Sequence, residues 1–368
     1  MPMQVRTDCR LFLGDRPCVW GGQCEGCEHY VKRGEHIVVI KLAAAGDVLR
    51  TTSILAPLKR AHPDSYITWV TDPLSLPLVE FNPYVDRALA FGFETWLTLL
   101  VQSIDLLICL DKEQRACALA SALRASEKLG FALSLAGAVE PLNPDARYDY
   151  ELGLSNEMKF HENTMTYPAI FCRTAGLEYQ ADPYVLALPE SSIEYAEQFL
   201  NGLSLPEPVI GLNVGAGHVF ANKAWTPTGY AALAGAVRER LGGTAIVLGG
   251  ADDRERAKAV LSAAPDAAVD GGLHDVLDFA AVVGMLDALV TGDTLAMHIG
   301  IALGVPTVVL FGPSAPQEIE FFGTGRKVLS PLDCAPCYRR DCDVRPSCME
   351  AIEMETVFEA LTEALEEA

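Results

Sequence analysis

Short β-branched runs alternate with segments of helical spacing, and this alternation occurs in two separate series along the chain. His36 to Leu42 is a strand candidate, followed by a loop and by helical spacing from Asp47 to Ala61 at Val48, Ile54, Leu55 and Leu58. Tyr66 to Thr71, Arg87 to Phe91 and Asp105 to Leu110 continue the first series. The second predicts strands at Val209 to Val214, Thr244 to Leu248, Ala288 to Thr291 and Thr307 to Phe311. Its helices are expected over Thr228 to Leu241, Asp252 to Ala263, His274 to Val283 and Thr294 to Leu303. Strand–helix alternation builds a mostly parallel sheet with helices on both faces, so the fold class is α/β, with two doubly wound domains facing an interdomain cleft.

The 368 residues suit two domains at roughly 150 residues each. The expected boundaries are a Cys-rich segment over 1–34, a first α/β domain over 35–190 and a second over 191–368. The stretch from Asn143 to Pro208 carries six prolines and reads as a connection with one or two helices. An amphipathic helix is expected over 354–368.

Charge and hydropathy narrow the function. A net charge of -21 repels nucleic acid phosphates, so nucleic acid is not expected as a partner. No apolar run reaches the roughly 18 residues of a membrane span, and the start lacks the layout of a secretion signal. A reducing cytoplasm is the expected location, which leaves eleven cysteines to explain. Cys109, Cys117 and Cys172 lie in apolar surroundings and read as small buried hydrophobes.

The strand-to-helix loops carry the candidate chemistry. In KLAAAGDVLRTT, Asp47 is either a helix N-cap or a general base that takes a proton from a substrate hydroxyl. Neither GxGxxG nor GxxxxGK[ST] occurs in these loops, which disfavours an ordinary NAD site or a Walker-type ATP site. In NVGAGHVFANKAWTP, Gly215 and Gly217 admit a phosphate to backbone N–H groups, and Lys223 supplies a cation for a diphosphate. In VLGGADDRE, Asp252 and Asp253 either cap the next helix or accept from ribose hydroxyls. VTGDTLAMHIGIALGVP runs through Asp293 and Thr294 into a helix whose amino end favours anions, with His298 on its first turns as a packing residue or a ligand.

These loops, in this order, together with IKLAAAGDVLRTTSILAPLKRAHP, LGGADDRERA, GDTLAMHIGIALGVPTVVLFGPSAP and CAPCYRRDC, resemble the glycosyltransferase family 9 heptosyltransferases over about residues 36 to 368. The resemblance implies the GT-B fold of two Rossmann-like domains, with the acceptor held mainly by the first domain and an ADP-heptose-type nucleotide sugar by the second. It implies Asp47 as catalytic base, Lys223 on the donor diphosphate, Asp293, Thr294 and His298 as the donor motif, and Asp252, or its neighbour Asp253, near the ribose. Leu295 and Ala296 depart from the Gly or Ser common after the Asp-Thr pair.

The expected reaction is therefore a single inverting displacement. Asp47 deprotonates an acceptor hydroxyl that attacks the anomeric carbon, while Lys223 and the helix end at Thr294 stabilise the departing nucleoside diphosphate without a metal. The acceptor is a lipopolysaccharide-core-type or other glycan, lipid-linked or soluble, which allows peripheral association with the inner face of the cytoplasmic membrane. An anionic acceptor needs local cations, and Arg50, Lys112 and Arg115 are candidates, with solvated surface charge the competing reading.

Two four-cysteine groups, Cys9, Cys18, Cys24 and Cys27 and then Cys334, Cys337, Cys342 and Cys348, each contain a Cys-x-x-Cys pair. The count suits a structural zinc with four thiolates at one or both ends; free or disulfide cysteines and an iron–sulfur cluster are the alternatives. The competing function is a catalytically degenerate GT-B protein turned into a metal-bearing binding or scaffold module.

Overall fold

The computed structural model describes residues 5–14, 18, 20–217 and 221–367. They cluster into two compact units. The first comprises residues up to 43 together with 54–150 and 171–182, and the second comprises 44–53, 151–170 and the chain from 183 onward.

The first unit is built on a six-stranded sheet. Its strands are β1 (His36–Ile40), β2 (Tyr66–Thr71), β3 (Arg87–Ala90), β4 (Leu106–Cys109), β5 (Glu127–Leu133) and β6 (Val139–Pro141), in the order β3-β2-β1-β4-β5-β6. All pairings are parallel except the final β5–β6 hairpin. The central strands are continuous apolar runs because helices cover both faces; Val38, Ile40, Val70, Leu107 and Cys109 are fully buried in one core cluster. Beyond β1 the backbone N–H groups of Leu42 and Ala43 donate to the Asp111 carboxylate, at 2.9 and 3.2 Å, which pins the start of the loop that follows.

The second unit holds β7 (Val209–Asn213), β8 (Thr244–Leu248), β9 (Ala268–Asp270), β10 (Ala288–Gly292), β11 (Thr307–Phe311) and β12 (Gly325–Leu329), ordered β12-β11-β10-β7-β8-β9 and wholly parallel. Ile210, Leu212, Val247, Val290 and Val308 form its core with the helix Pro227–Ala236 and the terminal helix Met354–Glu366. Thr226 caps the first of these, accepting from Gly229 N at 3.0 Å with Pro227 at the first helical position, and Trp225 donates its indole N–H to Ile352 O at 3.1 Å.

Two expectations change. The helical stretch expected over 47–61 is Ala45–Thr51 and Leu55–Ala61 joined by a 3-10 turn. The hydroxyls of Thr51, Thr52 and Ser53 bond back to carbonyls one turn earlier, and Pro57 withholds an amide. The supposed connection after Asn143 contains more than one or two helices: Pro144–Leu154, a π-helix at Met158–Glu162, Tyr167–Thr174 and Glu190–Leu203. Its prolines at 144, 168 and 189 sit at helix starts, where a missing N–H costs nothing.

Cys109, Cys117 and Cys172 are buried, as expected of small hydrophobes. The N-terminal segment packs on the first unit through Arg10, whose guanidinium pairs with Asp86 and donates to Ser65 O at 2.7 Å. Among the described residues no helix is long and apolar enough to cross a membrane.

Candidate active site

Parallel sheets bind ligands beyond the carboxyl ends of their strands. In the second unit a cavity of about 410 Å³ opens there. Asn213, Gly215, Gly217, Asp253, His274 and Thr294 supply its polar edge, and Val276, Phe279 and Leu295 an apolar wall. A larger cavity in the first unit, about 720 Å³, lies among Val31 to Glu35, Asp64 and Asp105, just ahead of β1, β2 and β4 and so at the amino ends of that sheet.

The loop after β7 owes its shape to glycine. A Cβ at Gly215 would lie 2.7 Å from the Asp253 carboxylate, and Gly217 has a φ of +64°. Asp253 is held by Gly250 N–H and by Arg256, both at 3.1 Å. It faces the cavity, whereas Asp252 is exposed and does not line it. The side chain of Asn213 ties β7 to the loop after β10, donating to Thr291 Oγ1 at 2.9 Å and Thr294 Oγ1 at 3.3 Å.

Next to that loop lies a buried set of charges. Lys223 Nζ donates to Asp293 Oδ2 at 2.7 Å, with both side chains about 15% exposed. Burial pushes the Asp293 carboxyl up, yet the Lys223 charge and hydrogen bond, with His298 and Ser314, leave it below the ordinary value. Thr294 is the N-cap of the helix Leu295–Ala302, which carries His298. Burial drives the His298 imidazole down to about 4, the Arg50 charge pushes the same way, and Asp293 and Asp47 oppose it. His298 is therefore neutral near pH 7, and its buried Nδ1 has no hydrogen-bond partner among the described residues.

The helix Ala45–Thr51 belongs to this same unit. Its N-cap is Ala44, so Asp47 is the third helical residue, not the cap. Gly46 is required by close approach, since a Cβ there would stand 2.6 Å from His298 Cδ2. Asp47 Oδ1 pairs with Arg50 Nη2 at 2.8 Å; the arginine is 11% exposed and the aspartate 36%, so a buried guanidinium orients an accessible carboxylate. The guanidinium also stacks 3.5 Å from the Tyr167 ring centroid. Arg50 thus contacts both Asp47 and Tyr167 from a buried position.

The other acceptor candidates, Lys112 and Arg115, belong to the first unit. Lys112 donates to the Asp149 carboxylate at 2.7 Å, and Arg115, half exposed, pairs with Glu113 and with Asp72 at 3.5 Å. Three residues that the motifs did not single out, Lys159, Glu318 and Tyr338, join the cluster. Lys159, on the π-helix, lies 3.6 Å from the Glu318 carboxylate and 4.1 Å from the Tyr338 ring centroid. Burial raises the Glu318 carboxyl even though Lys159 and Arg50 pull it down.

The zinc expectation finds no support. Among the described residues no group of three or more His, Cys, Asp or Glu side chains is arranged to hold a metal. Cys9, Cys18, Cys24, Cys27, Cys334, Cys337 and Cys342 are free thiols, and Cys348 is a buried thiol packed with Met349 and Ile352 in the hydrophobic core. A thiol used for packing in this way is a small hydrophobe.

Comparison with known proteins reaches most of the chain. The model of glycosyltransferase family 9 (heptosyltransferase) matches residues 93–347. A lipopolysaccharide heptosyltransferase 1 from Pseudomonas aeruginosa is 26% identical over 337 residues, covering 84% of this chain and 88% of the relative. A family 9 glycosyl transferase structure from Veillonella parvula superposes with a TM-score of 0.70 at 22% identity, covering 91% of this chain and 98% of the other. The E. coli ADP-heptose lps heptosyltransferase II structure gives 0.65 at 21% identity, covering 90% and 100%.

Proposed function

The chain belongs to glycosyltransferase family 9, and from that premise we propose that it moves a heptose from ADP-heptose to a lipopolysaccharide-core-type acceptor with inversion at the anomeric carbon. The observation that carries this reading is the pairing, within one unit, of an accessible Asp47 carboxylate braced by Arg50 with the buried Lys223, Asp293 and His298 set. A degenerate scaffold has no need of all of these.

Each group has one task. The adenine lies against the apolar wall of Val276 and Phe279, and Asp253, rather than the exposed Asp252, accepts from the ribose hydroxyls. The diphosphate meets Lys223, the N–H groups of the loop with Gly215 and Gly217, and the helix end at Thr294. Asp47 takes the proton of the acceptor hydroxyl as its oxygen bonds to the anomeric carbon. The bond from that carbon to the diphosphate breaks, and ADP leaves with the electron pair. Stabilising that growing charge in a partly buried site is worth about 3 kcal/mol. His298 stays neutral and offers Nδ1 to the donor beside Asp293. No metal or cofactor takes part in these steps, and the reaction belongs in the cytoplasm, at the membrane face when the acceptor is lipid-linked.

Thermal shift with ADP-, UDP- and GDP-sugars, followed by mass spectrometry of a Kdo-bearing lipid acceptor, tests the reading. Stabilisation by the ADP-sugar and a mass gain of one heptose are expected. Preference for UDP or GDP donors contradicts the donor assignment, and indifference to every nucleotide contradicts the reading as a whole.

A further inference from the structure

The Cys-rich loop near the C-terminus has no part in the mechanism above, yet it delivers an aromatic ring to the charged cluster. Tyr338 in CAPCYRRDC has a φ of +54°, a conformation that a bulky L residue adopts only when its surroundings impose it. Those surroundings are well defined. The N–H groups of Cys337 and Tyr338 both donate to Pro313 O, at 3.1 and 2.8 Å, and Asn222 donates to Arg339 O at 2.7 Å. The strained residue is thereby tied on one side to the loop after β11 and on the other to the residue preceding Lys223.

Two cations converge on the ring held in this way. Lys159 Nζ is 4.1 Å from its centroid and Lys223 Nζ 5.7 Å, both within cation–π range. Each ammonium also has its own carboxylate, Glu318 at 3.6 Å and Asp293 at 2.7 Å. The π-helix that carries Lys159 is anchored by Gln317, which donates to Lys159 O at 2.7 Å. Such helices recur at functional sites. Two like charges near one diphosphate site repel each other, and an electron-rich ring between acidic partners offsets that repulsion.

We propose that Tyr338 is a positioning residue of the transferase site, whose ring holds the Lys159 and Lys223 ammonium groups where the departing diphosphate needs them. The inference rests on the transferase reading for its consequence and on the ring–lysine geometry for its cause. The hydroxyl is dispensable and the ring is not. The backbone strain is retained because the loop must aim the ring.

Three variants test this. Tyr338→Phe keeps the ring and is expected to transfer within about twofold of wild type, whereas Tyr338→Leu and Tyr338→Gly lose roughly 5- to 30-fold in kcat with a smaller change in donor KM. Tyr338→Gly should melt above Tyr338→Leu, since only glycine relaxes the positive φ. Acetylation by acetic anhydride, read peptide by peptide, should be faster at Lys159 and Lys223 in Tyr338→Leu than in Tyr338→Phe. A leucine variant matching wild type in rate and labelling overturns the proposal, as does a phenylalanine variant as damaged as leucine. If wild type transfers no sugar, the transferase reading falls and lysine labelling alone decides: unequal labelling supports positioning, and equal labelling overturns it.

Discussion

The two sheets have the same strand order. Counting each from its own first strand, both run 3-2-1-4-5-6, and they differ in topology only where the first ends in an antiparallel hairpin and the second stays parallel. Their charges differ far more. The first unit keeps its ion pairs in groups of two or three, Lys112 with Asp149, Arg60 with Asp182, and Asp86 with both Arg10 and Lys59. The second gathers Asp47, Arg50, Lys159, Lys223, Asp293, His298 and Glu318 into one connected set. Topology alone therefore does not make a site; the placement of charge on the helices and turns between the strands does.

Asp47→Asn breaks the comparison most sharply. Removing the proposed base while keeping its shape should lower kcat about 10²- to 10⁴-fold with ADP affinity unchanged, read by steady-state transfer and calorimetry. Retention of most turnover removes Asp47 from its role.

The His298 effect is of similar size but appears in stability. Its folded pKa of about 4 lies below the ordinary 6.5, so between these values the unfolded chain binds the extra proton. Stability is then fully present above pH 6.5 and falls by about 3 kcal/mol as pH drops to 4. Glu318, raised by burial, slopes the opposite way above its ordinary value, so the quantity to measure is the difference between wild type and His298→Asn. Denaturant melts across pH 4 to 7 should show a shallower slope in the variant; equal slopes contradict the buried neutral imidazole.

Lys112→Met in the first unit leaves Asp149, 2% exposed in its side chain, without its cation. It should cost about 1–3 kcal/mol of stability and leave donor KM unchanged. A raised donor KM would bring the first unit's pairs into the donor site. Smallest is Asp253→Ala, which should raise donor KM roughly tenfold through one lost ribose contact, while Asp252→Ala leaves donor KM unchanged. The reverse result returns the ribose to Asp252.

Legibility in the sequence followed burial and motif. β1, β2, β4, β7, β8, β10 and β11 are runs of buried apolar residues and were readable as such. β5 and β12, with EKLGFAL and GRKVL, mix lysine, glycine and half-exposed positions, so neither alternation nor an apolar run marks them. Lys223, Asp293 and His298 announced themselves by their place after strands. Lys159, Glu318 and Tyr338 did not, because tertiary folding brings together a π-helix, a short turn and a Cys-rich loop that share no spacing. For Tyr338 the quoted CAPCYRRDC was a signal, but its cysteines pointed toward a metal rather than toward the ring between them.

The central claim is that the second unit holds the nucleotide through Lys223. Calorimetric titration of ADP into wild type, Lys223→Met and Lys112→Met tests it directly. The account predicts that Lys223→Met weakens ADP about tenfold or more while Lys112→Met binds as wild type does. Equal affinity in all three proteins, or loss confined to Lys112→Met, would contradict it.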